Sequence, residues 1–295
     1  MHISRKGIFM AQFTNQAQLS YGTVVTSSNI AVGEILEAIS ISKTSTSETY
    51  GPNDDAITYV INIINSGTSA LNSLSVSDDL GAYPFNSTTL IPLEYVEGSV
   101  RYFVNGVLQP APTVSSVGTA LVFSGINLPA GANASIVYEA TTNEFAPFVA
   151  GESITNTATV SGNGITPVDA SETVDAIIAP LLSITKSISP VPVSPNGLVT
   201  YTFVIENTGN TEVTEIDNAQ ITDTFNPILT NISVTFNGTP WQEGVNYTYD
   251  EASGLFQTVA GQVTVGAATY TQDPTTGVWS GYPATSTLVV TGNIG

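Results

Sequence analysis

Two copies of one sequence pattern constrain the fold of this chain more than any other feature. The matched segments share residue types and period-two alternation: AISISKT (38–44) with LLSITKS (181–187), ITYVINIINSG (57–67) with VTYTFVIENTG (199–209), and VSD (76–78) with ITD (221–223). Each copy also contains an Asn-Gly pair between two apolar runs, at Asn105 and at Asn237. That arrangement is a strong β-hairpin signal. The chain therefore carries two copies of one β-domain.

The composition supports an all-β fold of two tandem sandwich domains. A chain of 295 residues has room for about two domains of ordinary size. Short alternating runs rich in Val, Ile and Thr are punctuated by 16 prolines, and no long helical period occurs. No apolar run is long enough to span a bilayer.

The composition also excludes several classes of function. A formal net charge of −19 makes binding to nucleic acid or to an anionic membrane unfavourable. The chain has no cysteine for disulfides or thiolate metal sites, and His2 is its only histidine, which leaves little for imidazole catalysis. No nucleophile motif, glycine-rich phosphate loop or metal-ligand pattern occurs. We therefore predict no catalytic residue for an external substrate, no cofactor and no metal, and an enzyme is the least favoured class.

A strand-like segment at the start of the chain has no domain of its own to complete. FTNQAQLS (13–20) lines up with ITNTATVS (154–161), and both alternate with period two, so that Asn15 and Asn156 are equivalent. The mid-chain copy ends the first domain. The N-terminal copy has no domain in front of it to end.

The second domain lacks the corresponding last strand. It reaches TLVVT (287–291), which we align with IVYEA (136–140), and the sequence stops at Gly295. A sandwich without its last strand has an unpaired edge and an exposed core slot. Donor-strand complementation would fill the slot with residues 11–20 of another molecule, and repetition of this head-to-tail contact generates a filament. The alternative is that residues 11–36 fold back onto the second domain of the same chain.

The first residues differ from everything after them. They contain His2 and the Arg5-Lys6 pair, but their apolar run is too short for a secretory signal. A purine-rich ribosome-binding sequence upstream of a second start at Met10 would also encode Arg5-Lys6-Gly7. We expect translation to begin at Met10, with no export signal or anchor. The expected organisation is an artefactual or disordered leader (1–10), a donor strand and linker (11–36), a first domain (37–180) and a second domain lacking its last strand (181–295).

Each repeat points one lysine, one aspartate and one asparagine toward its apolar interior. Alternation places Lys43 on the face of Ile39 and Ile41, and Asp78 on the face of Val76. Burying a charged lysine costs several kcal/mol unless the charge is paired. The inferred sets are Lys43, Asp78 and Asn156 within the first domain, and Lys186, Asp223 and the donated Asn15 between molecules.

The functional hypothesis for these sets is a self-made isopeptide bond between the lysine amine and the asparagine side-chain carbonyl. An apolar site lowers the pKa of the amine, which can then attack as a neutral nucleophile. The same site favours a protonated carboxyl that polarises the amide oxygen. Attack, proton transfer and loss of ammonia leave an amide cross-link without any cofactor.

The alternative is a buried Lys–Asp ion pair that is hydrogen-bonded to Asn but not cross-linked. It fits the same pattern, although the recurrence of asparagine rather than a further carboxylate favours the bond. Glu48, Glu139 and Glu206 are alternative acids, but none has a counterpart in the other repeat.

Weaker signals have structural explanations. The acidic pairs lack the ligand spacing of a calcium loop and fit solvated turns better: Asp54-Asp55, Asp78-Asp79 and Asp250-Glu251. The aromatic residues of an Asn-rich hairpin region in the second domain fit core or rim packing better than a sugar-binding platform: Trp241, Tyr247, Tyr249 and Phe256.

Both repeats resemble a known bacterial family. The second repeat carries the resemblance through ITKS (184–187), VTY (199–201), ENTGN (206–210) and ITDT (221–224), and the first repeat carries it more loosely through Lys43, Thr58-Tyr59, Asn65-Ser66-Gly67 and Asp78. These runs resemble the bacterial surface repeat called domain of unknown function eleven. The resemblance implies Ig-like sandwiches of the kind strung along cell-surface and spore-surface proteins. A compact two-repeat member without a signal peptide is similar to the small subunits of clostridial spore appendages.

We therefore predict a structural subunit of a fibre on the spore or cell surface. Its partner is the next copy of the same chain, with minor anchoring or tip subunits as further partners, and neither nucleic acid nor a membrane. A rival hypothesis is an adhesin or stalk module that binds a ligand through the second domain.

Overall fold

The computed structural model describes residues 11–35, 39–52, 56–163 and 165–295, and these residues are mainly β-strands and turns. The all-β fold class predicted from the sequence is confirmed. The expected leader (1–10) lies outside the described residues. In the described ranges the one helix is a single 3₁₀ turn, Glu215–Asp217, and no helix has the length and apolarity needed to cross a membrane.

Residues 11–35 form one long β-hairpin. Its strands are β1 (Ala11–Asn15), β2 (Gln18–Tyr21), β3 (Val24–Ser27) and β4 (Ala31–Ile35). β1 pairs antiparallel with β4, and β2 pairs with β3 around a tip at Gly22, where φ is +57°. The arms are interrupted where the Ser28 amide donates to the Ala17 carbonyl (2.8 Å). The single alternating strand expected over residues 11–20 is therefore wrong in detail, because this segment is two strands of a hairpin.

The chain splits into two compact units. The first comprises the chain up to Glu48, Asp54–Asn143 and Ile154–Val174, and the second comprises Thr49–Asn53, Glu144–Ser153 and Asp175–Gly295. Hydrogen bonds hold the two short segments in the second unit. Thr49–Tyr50 pairs in parallel with Asp175 and Ala176, and the Trp279 amide donates to the Glu144 carbonyl (2.8 Å).

Two sheets build the first unit. The strands that follow the hairpin in chain order are β5 (Ile39–Ser45), β6 (Thr49–Tyr50), β7 (Ala56–Asn65), β8 (Leu71–Asp78), β9 (Tyr83–Phe85), β10 (Thr88–Leu90), β11 (Leu93–Tyr95), β12 (Arg101–Val104), β13 (Val107–Gln109), β14 (Thr113–Val117), β15 (Ala120–Leu128), β16 (Asn133–Thr142), β17 (Ser153–Ser161) and β18 (Val168–Ala176). One sheet has the order β13-β12-β16-β7-β5, with β11 also on β16. The other has the order β14-β15-β8-β17-β18, and β9 and β10 form a separate ladder.

The core of the first unit lies between these sheets. Period-two alternation buries every second residue of β7, from Ile57 to Ile63, and the facing sheet contributes Phe123 and Val160. The rings of Phe123 on β15 and Tyr138 on β16 are 5.3 Å apart and join the two sheets. Each large apolar side chain buried in this way contributes about 1.5–3 kcal/mol to folding.

The second unit repeats part of this architecture. Its strands are β19 (Leu182–Ser189), β20 (Leu198–Asn207), β21 (Thr222–Thr224), β22 (Leu229–Phe236), β23 (Thr239–Pro240), β24 (Tyr247–Asp250), β25 (Leu255–Thr258), β26 (Thr269–Gln272), β27 (Trp279–Tyr282) and β28 (Ala284–Ile294). A five-stranded sheet has the order β19-β20-β28-β22-β23, a three-stranded sheet has the order β24-β25-β21, and β26 pairs with β27. A core that includes Phe203, Phe225 and Phe256 is shared by the two larger sheets and their loops.

The Asn-Gly turns predicted from the sequence are present in both units. They join β12 to β13 and β22 to β23. Both residues of each turn have positive φ: 48° at Asn105, 76° at Gly106, 49° at Asn237 and 78° at Gly238. This backbone is that of a type I′ turn, which favours these two residue types.

One predicted alignment is out of register by a residue. Tyr138 lies opposite Tyr59, whereas Val290 lies opposite Tyr201, which is the counterpart of Tyr59. The structural counterpart of Tyr138 is therefore Val290. The alignment of TLVVT (287–291) with IVYEA (136–140) predicted from the sequence is wrong by one residue.

Candidate functional site

Lys43 is buried in an ion pair inside the first sandwich. It lies on β5 opposite Ile61, and its Nζ is 2.7 Å from Oδ2 of Asp78 on the facing sheet. Both side chains are completely buried. The Nζ also lies 4.9 Å from the centre of the Tyr59 ring and 5.9 Å from that of Tyr138.

Burial controls the charge of this lysine. Loss of hydration lowers the pKa of Lys43, and the adjacent Asp78 carboxylate opposes part of that shift. The neutral amine is thus more accessible here than on a solvated lysine. An amine must be neutral to act as a nucleophile.

The Tyr138 hydroxyl connects Asn156 to the ion pair by two hydrogen bonds. The Tyr138 hydroxyl donates to Asp78 Oδ2 (2.7 Å) and accepts a hydrogen bond from Asn156 Nδ2 (3.0 Å). The second Asp78 oxygen, Oδ1, accepts from the Leu80 amide (3.1 Å). Burial raises the pKa of the Tyr138 phenol well above its usual range, so the hydroxyl keeps its proton at physiological pH.

Two buried oxygens at this site are left without a hydrogen-bond partner among the described residues. They are the Asn156 carbonyl oxygen, Oδ1, and the Tyr59 hydroxyl. Burial raises the pKa of the Tyr59 phenol, and the nearby Asn156 side chain lowers it in part. The carbonyl that the hypothesis assigns to attack is thus buried, with the Tyr59 hydroxyl nearby.

The strand arrangement explains why these groups meet. Asp78 ends β8 and pairs with Ala158 on β17, which places Asn156 two residues along β17 on the same buried face. Lys43 comes from the opposite sheet. The predicted set Lys43, Asp78 and Asn156 is thus brought together, and a bond between Lys43 and Asn156 would tie the two sheets.

Sequence reasoning missed the two tyrosines. Tyr59 was detectable, because Tyr201 repeats it in the second unit. Tyr138 was not, because its counterpart is Val290 and the predicted alignment was shifted at this point.

The second unit repeats the ion pair in an open setting. Lys186 Nζ is hydrogen-bonded to Asp223 Oδ2 and lies 4.6 Å from the Tyr201 ring centre and 5.3 Å from that of Phe225. The Lys186 side chain is 38% exposed and that of Asp223 is 19% exposed, against zero for the first pair. Asn15, the third member of the predicted set, lies on β1 and is exposed.

The three-stranded sheet of the second unit ends early. The order β24-β25-β21 matches β14-β15-β8 of the first unit, where β17 and β18 follow. Within the described ranges no strand pairs with the other edge of β21. Among the described residues, β21 beside Asp223 therefore has no neighbour that corresponds to β17.

The lysine strand of the second unit is correspondingly uncovered. All of β19 is exposed, including Leu182 (46%), Ile184 (54%) and Ile188 (42%). Ile39, the counterpart of Leu182 on β5, is only 6% exposed. Apolar side chains that point inward in one repeat thus face solvent in the other.

The other acidic candidates lie outside both sites. In the part of the chain that the structure describes, the ion pairs are those of Lys43 and Lys186 with their aspartates. Glu48 and Glu139 are exposed, and Glu206 is half-buried on the outer face of β20.

No metal cluster is present in the described ranges, where no three His, Cys, Asp or Glu side chains converge. Asp79 Oδ1 accepts from the Gly81 and Thr157 amides, and Asp250 caps a turn through Ala252 and Ser253. The pair Asp54-Asp55 lies outside the described residues.

The four aromatic residues of the Asn-rich hairpin region in the second unit are packing residues. Tyr247 and Phe256 belong to its core, and Tyr249 and Trp241 pack against that core. Trp241 stacks on Phe236 with ring centres 4.8 Å apart. These contacts agree with the packing interpretation of these four residues.

Neither the family models nor the curated proteins give a match to this chain. Among solved structures, it is similar to the major pilin subunit of Bacillus cereus (12% identity, 93% of this chain and 73% of that chain, TM-score 0.33). It is also similar to the pilus backbone of Streptococcus pneumoniae (14% identity, 83% of this chain and 55% of that chain, TM-score 0.33). A third match is a C-terminal fragment of the major pilin of Streptococcus agalactiae (11% identity, 83% of this chain and 91% of that chain, TM-score 0.33). We draw no conclusion about function from similarity at this level.

Proposed function

We propose that this chain is a structural subunit that polymerises head to tail into a surface fibre. In each contact the N-terminal segment of one molecule completes the second sandwich of the next. The observation that carries this proposal is the sheet β24-β25-β21, which stops at the position where the first unit continues with β17. An open edge beside an uncovered apolar face is a liability unless another strand fills it.

The N-terminal segment matches the missing strand in sequence. FTNQAQLS (13–20) repeats the pattern of the β17 residues 154–161, including the asparagine. Exposed apolar side chains at Leu19 and Tyr21 are consistent with a segment that buries them in another molecule. Because donor and acceptor are different surfaces, the contact is heterologous and generates an open filament rather than a closed dimer.

Each completed sandwich would be locked by an isopeptide bond. Within the first unit, the Lys43 proton moves to Asp78 over the 2.7 Å hydrogen bond, and the neutral amine attacks Cγ of Asn156. The Tyr138 hydroxyl connects the protonated acid to Asn156 Nδ2 and relays a proton to it. The C–N bond to Nδ2 breaks and ammonia leaves. The attacking nitrogen gives its second proton to Asp78, which the relay has left ionised, and the lysine nitrogen ends as an amide with one hydrogen. Lys186, Asp223 and a neighbour's Asn15 form the intermolecular counterpart.

We also propose where the fibre is located, which is the spore surface. The sequence resemblance to spore-surface repeats supports assembly on the spore surface. Minor anchoring or tip subunits would then occupy the filament ends, where one donor or one acceptor stays free. The rival adhesin hypothesis has no specific support, because the aromatic residues of its ligand surface pack on the core.

The intact mass under denaturing conditions tests the proposal. Wild-type protein should give a ladder of multimers that survives denaturation, each bond lowering the mass by one ammonia, ~17 Da. Asn15→Ala and Lys186→Ala should each abolish the ladder. Lys43→Ala is the matched control, which should keep the ladder and lower heat resistance. A single monomer mass for the wild-type protein, at concentrations where it is fully folded, contradicts the proposal.

A further inference from the structure

The β1–β4 part of the N-terminal hairpin has the same strand register as the β17–β18 pair. β17 and β18 are neighbours in the sheet, and Thr155 Oγ1 lies 2.8 Å from Thr173 Oγ1 across them. In the hairpin, Thr14 lies opposite Val32. The sequence match places Thr14 at Thr155, an offset of 141 residues (155 − 14), and the same offset takes Val32 to Thr173. Both strands of the hairpin therefore have a counterpart.

β18 is part of the closed first sandwich. Val174 on β18 is completely buried, and Glu172 Oε1 accepts a hydrogen bond from the Ser45 hydroxyl on β5 (3.1 Å). Both β17 and β18 therefore lie over the lysine strand. The exposure of the whole of β19 then reflects the lack of two strands rather than one.

In the second repeat, apolar residues occupy both positions that form the polar contact between β18 and β5. The counterpart of Ser45 is Ile188, and the counterpart of Glu172 in the hairpin is Ala31. Ile188 and Ala31 are both exposed in the single chain. An apolar pair thus takes the place of a hydrogen-bonded pair on both partners at once, as expected if β4 of one molecule covers β19 of another.

We infer that the donated element is the whole hairpin, residues 11–35 of a second copy, inserted as a preformed pair of strands. β1 and β2 lie beside β21, as β17 lies beside β8, and β4 lies outside β1, as β18 lies outside β17. This inference rests on the proposed function and specifies its interface. A preformed hairpin keeps its own β1–β4 hydrogen bonds and loses less conformational entropy on binding than a free strand. It also covers the edge that a single inserted strand would leave open.

A disulfide that locks the hairpin tests the inference in the full chain. The protein has no cysteine, so the variant Thr14→Cys/Val32→Cys can form one intramolecular bridge across β1 and β4. Directly opposite residues of antiparallel strands are within reach of a disulfide. We expect the oxidised variant to form the covalent ladder to the same extent as the reduced variant. A second lock near the tip, Ser20→Cys/Val25→Cys, should behave in the same way, because Ser20 lies on the other face of β2 from Leu19.

The outcomes separate this inference from the proposed function. If the reduced variants form the ladder and the oxidised variants lose it, β1 must leave β4 before insertion, and the hairpin inference is overturned while the proposed function stands. If neither wild-type nor reduced protein forms a ladder, both are overturned. The control Thr155→Cys/Thr173→Cys locks a pair that is already in place, and it should form the ladder in both redox states.

Discussion

At the scale of single residues, the first site has a hydroxyl that the second lacks. Tyr138 joins Asp78 to Asn156, and its counterpart Val290 can make no such link. An inserted hairpin brings no tyrosine to that place either, since Tyr21 lies at its tip. The proposed bond within a molecule would therefore have a proton path that the proposed bond between molecules would lack, and we expect the former to form first.

Substitution of Tyr138 by Phe tests this proton path. Tyr138→Phe keeps the ring that packs on Phe123 but removes the hydroxyl, so formation of the bond in the first unit should slow by about 100-fold. The measurement is the fraction of chains that have lost ammonia at intervals after synthesis, in a Lys186→Ala background where only this bond can form. Tyr95→Phe is the control, because its ring also lies beside Tyr138 (6.3 Å between ring centres) but its hydroxyl accepts from the Val100 amide, so its removal should leave the rate unchanged. Equal rates for both variants would remove Tyr138 from the mechanism.

At the scale of elements, β5 and β19 are one strand in two environments. Ile39 on β5 is buried, and Leu182 on β19 is exposed, although they are equivalent in sequence. The same substitution should therefore have opposite consequences in the two strands. Burying an unpaired carboxylate costs several kcal/mol, whereas a solvated one costs little.

We predict that Leu182→Asp leaves the monomer stable and blocks assembly, because insertion of the neighbour would bury the charge. Ile39→Asp is the matched control and should destabilise the monomer by about 3 kcal/mol or more. Stability is measured by denaturant unfolding in an Asn15→Ala background, and assembly is measured by the covalent ladder in otherwise wild-type chains. A Leu182→Asp protein that polymerises normally would show that β19 is not part of the interface.

The sequence predicted those elements in which residue type and period agree. Both repeats, both Lys–Asp pairs and the all-β class were predictable in this way. The signals were the two lysines, the matched TY and VSD segments and the Asn-Gly turns. The sequence did not reveal the second strand of the hairpin, because β4 and β18 share almost no residue types, and their relation appears only as a common register. Tyr138 was hidden for a related reason, since a shift of one residue moves a strand residue to the opposite face.

At the scale of the whole molecule, the net charge opposes the assembly that the open edge favours. Each added subunit brings a formal charge of −19 into the filament. Beyond about 8 Å these charges are screened at physiological ionic strength, but neighbouring subunits still repel at closer range. In the proposed filament, main-chain pairing, apolar burial and a covalent bond at each junction would together oppose this repulsion. A covalent lock would also make the junction independent of subunit concentration once it had formed.

Head-to-tail polarity predicts what two inactive variants do when they are mixed. Asn15→Ala lacks a reactive donor but keeps Lys186, whereas Lys186→Ala lacks a reactive acceptor but keeps Asn15. Neither alone should form a covalent multimer. Their mixture should give a covalent dimer, lighter than the sum of its chains by one ammonia at the junction, and nothing larger, since the product has no reactive end. Intact mass under denaturing conditions distinguishes this result from a symmetric interface, in which wild-type protein itself would stop at two chains. Larger covalent species in the mixture, or no dimer at all, would contradict a junction between these two residues.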